Sequence, residues 1–131
     1  MKRSESRESA FLLLFEASFS ETPDPDEILA VTKEIGEIET DDYSLALFSG
    51  VIDQQDQIDD EIAKHSVKWN KNRLSKVVLT ALRIAVYETK FLGLDRSVAI
   101  NEAVELVKKY DTQKAASFAN GILGAFTREE A

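Results

Sequence analysis

The chain has 131 residues, a formal net charge of −8, two prolines, five glycines and no cysteine. A chain of this length can bury a hydrophobic core of its own, so we expect a single domain over residues 1–131. Without cysteine, disulfides and thiolate metal sites are excluded, and a reducing cytoplasm is the expected location. The first apolar run, residues 11–15, is too short for a signal peptide, so neither a leader nor a membrane segment is expected.

Charge is distributed unevenly along the chain. Residues 21–66 contain 14 Asp or Glu and two Lys, a local charge of −12, whereas residues 67–83 contain five Lys or Arg and no acid. A local basic stripe matters more for binding than the net charge does. Charged runs are also the ordinary composition of solvated surface. The pattern by itself therefore leaves a binding stripe and a solvated surface open.

The first helix is predicted over residues 4–20, where apolar residues recur at helical spacing on one face. Lys2, Arg3 and Arg7 gather at its start and form a basic arm over residues 1–8. Positive charge at a helix N-terminus opposes the helix dipole, so these cations do not serve helix stability. They are either a harmless lead-in or a contact for an anionic partner.

The next helices have clear end signals. Asp24 followed by Pro25 is a strong helix start, and Gly36 supplies the left-handed conformation that commonly ends a helix. A further helical region is expected to be capped by Thr40 and to extend over two consecutive helices if the chain bends near residues 50–55. This acidic half is expected to cover the core and to stay away from any nucleic-acid site.

Residues 74–92, LSKVVLTALRIAVYETKFL, are the segment around which the rest is organised. The segment is apolar on nearly every side and longer than a buried strand, so it is predicted to be a central buried helix. Ser75 is placed to cap this helix. The preceding basic segment, residues 66–73, contains Trp69, which either packs at the edge of the core or stacks on a base.

Two further helices complete the predicted bundle, over residues 97–111 and about 113–128. Gly121 and Gly124 lie three apart in the last one. Because glycine weakens a helix, we expect another backbone to approach closely there. The predicted fold class is therefore all-α, a single-domain bundle of about six or seven helices around a buried central helix.

Four motifs follow one another in the second half of the chain: Trp69-x3-Arg73-Leu74-Ser75, LRIAVYE (82–88), AINEAVELVKKY (99–110) and FANGIL (118–123). Near the other end, Arg7-Glu8 precedes an apolar run. In order and spacing these motifs resemble the NusB family, and the similarity covers nearly the whole chain.

The resemblance implies a bacterial transcription antitermination factor with a NusB-like helical bundle. Such a factor pairs with NusE, which is also a small-subunit ribosomal protein, and the pair binds single-stranded boxA-type RNA. The complex then joins the elongating RNA polymerase complex, chiefly during ribosomal RNA synthesis. Some members of the family self-associate, so a homodimer stays open, and no membrane, cofactor or metal is implied.

In this family the basic N-terminal segment contacts RNA, which maps here onto Lys2, Arg3 and Arg7. Single-stranded RNA is bound by cations on its phosphates and by rings that stack on its bases. Further contacts are expected from Arg73, Lys76 and Lys114 to phosphates and from Phe118 or Phe15 to a base, although core packing is the favoured role of both rings. Because residues 1–20 have no net charge, NusE is expected to supply part of the affinity.

Polar residues inside the motifs are expected to be structural. Arg83 on the buried helix needs a carboxylate partner, because an unpaired buried charge costs several kcal/mol, and Glu88 and Glu102 are the candidates. Asn101 and Asn120 are expected to join neighbouring helices by hydrogen bonds. No nucleophile or histidine supports an acid–base pair of the two glutamates, so no enzyme is predicted.

Two other functions are kept as alternatives. The chain could be a helical protein–protein interaction module that does not bind RNA. It could also be a stand-alone relative of the accessory domain of ribosomal RNA cytosine methyltransferases. RNA binding that weakens as salt rises separates the antitermination factor from the interaction module.

Overall fold

The computed structural model describes residues 1–65 and 74–130, and every regular element among them is an α-helix. The helices are α1 (Arg3–Ala17), α2 (Pro25–Ile35), α3 (Asp42–Asp53), α4 (Gln55–His65), α5 (Lys76–Leu92), α6 (Arg96–Tyr110) and α7 (Gln113–Glu130). The predicted all-α bundle is confirmed. Among the described residues, no helix combines the length and the apolar character that crossing a membrane requires.

Helix α5 lies at the centre of the bundle, as predicted. It packs against α1, α3, α4, α6 and α7. Its buried side chains lie on several sides of the helix: Val78, Thr80, Ala81, Leu82, Ile84, Ala85, Val86 and Glu88. Because these side chains lie on several sides, α5 contributes to the core towards each of its neighbouring helices. Burial of each large apolar side chain stabilises the fold by about 1.5–3 kcal/mol.

The predicted caps are present at α2 and α5. The Asp24 carboxylate accepts hydrogen bonds from backbone N–H groups of the first turn of α2, and Gly36 ends that helix with φ 73°. At the start of α5, Ser75 Oγ accepts a hydrogen bond from the Val78 N–H at 3.0 Å. These ends follow from local chemistry, so the sequence was sufficient to locate them.

The third helical region is divided at Gln54, inside the segment where a bend was predicted. Its cap is Asp41 and not the predicted Thr40: the Asp41 carboxylate accepts a hydrogen bond from the Ser44 N–H at 2.9 Å. Aspartate ranks above threonine as an N-cap. The helix therefore begins one residue later than a Thr40 cap would place it.

Two serine hydroxyls on α1 attach the connection between α2 and α3. Ser6 Oγ donates to the Asp41 carboxylate at 2.6 Å, and Ser9 Oγ donates to the Glu39 carbonyl at 2.6 Å. Both serines are buried. The hydrogen bond from Ser6 is the main reason that the pKa of Asp41 lies below its usual value. The chain that leaves α2 is thus held against α1 at two points.

Close approach of neighbouring helices occurs at Gly50 and not at Gly121. A Cβ on Gly50 in α3 would lie 2.1 Å from the hydroxyl oxygen of Tyr87 in α5. The Tyr87 side chain therefore occupies the space that any larger residue would need. At Gly121 the prediction was wrong, because no atom of a neighbouring helix among the described residues lies within 4 Å of the position that a Cβ would take.

Candidate nucleic-acid interface

Two of the predicted cations stand at the exposed start of α1. Lys2 directly precedes the helix and Arg3 is its first residue, so most of the predicted arm, residues 1–8, is helical. The Arg3 guanidinium carbon lies 3.7 Å from the centroid of the Tyr43 ring of α3, which is a cation–π contact. Lys2 and Arg3 are both exposed and accessible to an anionic ligand.

Arg7, the third cation of the predicted arm, is buried instead. Its side chain is 5% exposed, and its Nε lies 2.9 Å from both carboxylate oxygens of Glu88. Its Nη1 lies 3.5 Å from Glu102, and the Tyr43 hydroxyl donates to Glu88. Glu88 is 1% exposed, and a buried carboxylate requires a cationic partner. Arg7 therefore joins α1 to α5 and does not face a phosphate.

Arg83 is paired with Asp59 of α4, so both predicted partners, Glu88 and Glu102, were wrong. Its Nε and Nη2 donate to the two carboxylate oxygens of Asp59 at 2.8 and 2.9 Å, the bidentate geometry that arginine favours. Glu88 follows Arg83 by five residues, and five residues turn a helix by about 140°. The two side chains of α5 consequently face different helices.

Among the described helices, neither Asn101 nor Asn120 joins one to another. Both residues are exposed, and no hydrogen bond from either side chain to another helix occurs in the part of the chain that the structure describes. Arg73 lies outside the described residues, so its phosphate contact stays a prediction. Among residues 1–65 and 74–130, no group of three His, Asp or Glu side chains is placed to hold a metal ion.

The end of α6 lies beside the start of α1. Lys109 Nζ is 2.6 Å from the Glu8 carboxylate, and the Tyr110 hydroxyl donates to the same carboxylate. Partial burial acts to raise the pKa of Glu8, but the hydrogen bonds from Lys109 and Tyr110 outweigh it and lower that pKa. Partial burial and the bond to Glu8 raise the pKa of Tyr110 to about 12. Glu8 is therefore an ionised group whose charge Lys109 compensates.

A row of aromatic rings extends from Tyr110 along α1. Tyr110 stacks on Phe11 with ring centroids 5.1 Å apart, and Phe11 stacks on Phe15 at 6.1 Å. Phe15 meets the edge of Phe19 at 5.1 Å. Tyr110 is 37% and Phe19 is 64% exposed, so both ends of the row are open to solvent. Lys76 Nζ lies 5.0 Å from the Phe19 centroid and places a cation at the far end.

The starts of α5 and α7 meet near that far end. Ser75 Oγ donates to the Asp111 carboxylate at 2.8 Å, which brings the adjacent Lys76 beside the turn between α6 and α7. Lys114 is exposed on the first turn of α7, and Phe118 follows one turn later, half-buried against the core. Two of the predicted RNA contacts, Lys76 and Lys114, therefore flank the turn between α6 and α7, and the third, Phe118, lies one turn further along α7.

Cations and aromatic rings thus occur together along α1 and at the α6–α7 turn. We refer to these residues as the basic–aromatic surface: Lys2, Arg3, Phe15, Phe19, Lys76, Lys109, Tyr110, Lys114 and Phe118. The N-terminal cations and Lys76 are separated by the length of α1, which is 15 residues or about 22 Å. Between them, the Glu8 charge is compensated by Lys109, a contact that no sequence pattern had indicated.

Comparison with known proteins decides the family. The sequence model described as the NusB family matches residues 4–128. The chain belongs to the NusB family. Transcription antitermination protein NusB of Thermoanaerobacter sp. (strain X514) is 36% identical to it over 130 residues, which cover 99% of this chain and 93% of that protein. The NusB of Listeria monocytogenes serotype 4b (strain CLIP80459) is 38% identical over 131 residues, 99% of each.

The NusB fold is also found by comparison of structures. A chain in the crystal structure of antitermination factors NusB and NusE in complex with dsRNA shares 31% identity with this one and gives a TM-score of 0.83. The match covers 97% of this chain and 96% of that chain. In this member of the NusB family, the LRIAVYE motif is part of α5 and contributes buried residues to the hydrophobic core. Both of its charged residues form ion pairs, Arg83 with Asp59 and Glu88 with Arg7.

Proposed function

We propose that this NusB-family protein is a bacterial transcription antitermination factor. It binds boxA-type RNA together with NusE and joins the elongating RNA polymerase complex, chiefly during ribosomal RNA synthesis. Its role is binding without a chemical step, and its setting is the cytoplasm. The observation that supports the proposal best is the basic–aromatic surface, and the relatives named transcription antitermination protein NusB, which match 99% of the chain, support it further.

The basic–aromatic surface combines the two kinds of contact that hold single-stranded RNA. Cations bind phosphates, and aromatic rings stack on bases largely without regard to sequence. We assign phosphate contacts to the exposed cations Lys2, Arg3, Lys76 and Lys114 and, by sequence position, to Arg73. We assign base stacking to Phe118, whose ring is only half-buried. Arg7 acts indirectly, because its pair with Glu88 fixes the position of α1.

NusE is assigned the remaining affinity. Net charge over the chain is −8, so most of the surface repels RNA, and the exposed cations that remain are few. Glu8 offsets Lys109 at 2.6 Å, which weakens the local field further. An isolated protein of this kind binds RNA weakly, and a second protein with its own cations is needed for tight binding.

The test is a titration of labelled boxA-type RNA, with and without NusE, over a series of salt concentrations and followed by fluorescence anisotropy. Lys76→Ala and Lys114→Ala each remove one phosphate contact, so each is expected to reduce the slope of log affinity against log salt by about 0.7. Lys33→Ala is the matched control, because Lys33 is also exposed but lies on the acidic helix α2. That control is expected to leave the slope unchanged.

One result would contradict RNA binding by this surface. If both lysine variants give the parent's salt slope in the presence of NusE, and the isolated protein shows no salt-dependent RNA binding, the protein is better described as an interaction module that binds NusE and does not contact RNA directly. If the unmodified protein does not bind NusE in a pull-down, that result would contradict the assignment of NusE as the partner.

A further inference from the structure

Next to the basic–aromatic surface, α1 and α2 enclose an apolar groove. Its volume is about 390 Å³. Three apolar residues of α1 form its floor and three of α2 form its wall: Leu12, Leu13 and Phe15, and Ile28, Val31 and Ile35. A space of this size between two helices accommodates a few large apolar side chains from a third.

The α2 wall of the groove is left largely uncovered by the described residues. Val31 is 48% and Ile35 is 61% exposed, and no residue of α2 is buried. Contiguous exposed apolar surface with a polar border is typical of an interaction site. The other exposed apolar residues of the helices, such as Val98, do not line this groove.

The border of the groove is strongly acidic. Glu16, Glu27 and Glu37 line it together with the apolar residues. The segment 21–39 contains seven Asp or Glu and a single base, Lys33. RNA is therefore repelled from this face, and a second copy of the chain would bring two acidic borders together. The complementary occupant has apolar residues along one side and Lys or Arg on its flanks.

We propose that this groove binds a basic amphipathic helix of a protein partner. Apolar residues at helical spacing fill the groove, and flanking cations pair with Glu16, Glu27 and Glu37, which is the helix-in-groove mode of recognition. The described residues contain no strand whose edge an extended peptide could join. This site goes beyond the proposed function, since it is a protein-docking surface separate from the phosphate-binding cations, and it adjoins the basic–aromatic surface only at Phe15.

The probes are two synthetic amphipathic helical peptides with identical leucine positions, one with lysine and one with glutamate at every polar position. Each is titrated into 15N-labelled protein, and NMR chemical shifts map where it binds. The lysine peptide is expected to shift the signals of α1 and α2 that surround the groove, including those of Val31 and Ile35. The glutamate peptide is expected to bind at least about tenfold more weakly, because it meets the acidic border with like charge.

A matched pair of variants tests the groove itself. Val31→Ser removes an apolar contact inside it, whereas Val98→Ser changes the same residue type on α6, where exposure is 42% against 48% at Val31. Loss of about half of a buried valine contact predicts roughly fivefold weaker peptide binding for Val31→Ser. Val98→Ser is expected to bind as the parent does. The double variant Glu27→Gln/Glu37→Gln is expected to reduce the preference for the lysine peptide.

Several outcomes would overturn this assignment. Equal affinity for the two peptides, no binding of the lysine peptide, or shifts confined to other helices each contradict it. Shifts of Val31 and Ile35 that depend on protein concentration without peptide would identify a second copy as the occupant, and shifts on adding boxA-type RNA would identify RNA. None of these results alters the lysine test of RNA binding, so the two proposals can fail separately.

Discussion

Replacement of Arg7 by methionine is expected to destabilise the protein by about 3–5 kcal/mol, the usual cost of removing one member of a buried ion pair. In the parent, Arg7 Nε lies 2.9 Å from both oxygens of Glu88, whose side chain is 1% exposed. After the substitution, the Tyr43 hydroxyl is the remaining hydrogen-bond donor to that carboxylate among the described residues. Methionine fills much of the vacated volume, so the loss reports the unpaired charge more than a cavity.

The assays are urea-induced unfolding, which measures the free energy of unfolding, and thermal unfolding, which measures Tm, both followed by circular dichroism. A loss of about 3–5 kcal/mol lowers the Tm of a domain of this size by roughly 10–20 °C. Arg3→Met is the matched control, since Arg3 lies one turn earlier on the same helix and is exposed. Its contact with the Tyr43 ring is of a kind worth about 0.5–1 kcal/mol at exposed sites.

An Arg7→Met variant that loses no more stability than Arg3→Met would contradict the role of the buried ion pair. The double variant Arg7→Met/Glu88→Leu supplies a second check, because it removes both charges and leaves apolar groups of similar size. Such replacements are often neutral or stabilising, so the double variant is expected to be more stable than Arg7→Met alone. A double variant that is less stable than Arg7→Met would show that packing, and not the unpaired carboxylate, causes the loss.

Two glycine substitutions are expected to have opposite signs in urea unfolding. Gly50→Ala lowers stability by about 1–3 kcal/mol, because its Cβ would lie 2.1 Å from the Tyr87 hydroxyl oxygen. Gly121→Ala raises stability by up to about 1 kcal/mol, and a change of the opposite sign at either glycine would contradict the assignment made there. In ultraviolet titration of the folded protein, Tyr110 is expected to ionise with a pKa of about 12. The hydrogen bond from Tyr110 to Glu8 contributes fully to stability below the unfolded pKa of tyrosine, about 10, and this contribution is lost as pH rises through the folded pKa. Glu8→Gln is expected to lower the pKa of Tyr110, and an unchanged titration would show that Glu8 does not cause the shift.

Most of the fold could be predicted because its determinants are local or periodic. Asp24 and Gly36 bound α2 through capping chemistry that involves only nearby residues. The segment that forms α5 is apolar on nearly every side, and a helix of this kind is stable only when it is buried on several sides. The sequence predicted Thr40 as the N-cap of α3, one residue before the actual cap, Asp41. Both residue types can cap a helix, and only the packed structure selects between them.

The charged contacts of the candidate site were less predictable because they join distant parts of the chain. Glu8 and Lys109 are 101 residues apart, and Asp59 and Arg83 are 24 apart, and no periodicity within one helix indicates which helices will be neighbours. Arg7 is different, since the sequence did contain a signal for it. It precedes the buried residue Phe11 by one helical turn and so lies on the apolar face of α1.

The segments on both sides of α2 are attached to the rest of the bundle. Ser6 and Ser9 hold the segment that leaves it, and Lys76 holds the segment that enters it by donating to the Ser18 carbonyl at 2.9 Å. The separation of α1 and α2 is consequently preset, and a ligand loses little affinity to ordering of the protein. Ser9→Ala would release one anchor, so it would weaken docking through conformational entropy at a residue that touches no ligand.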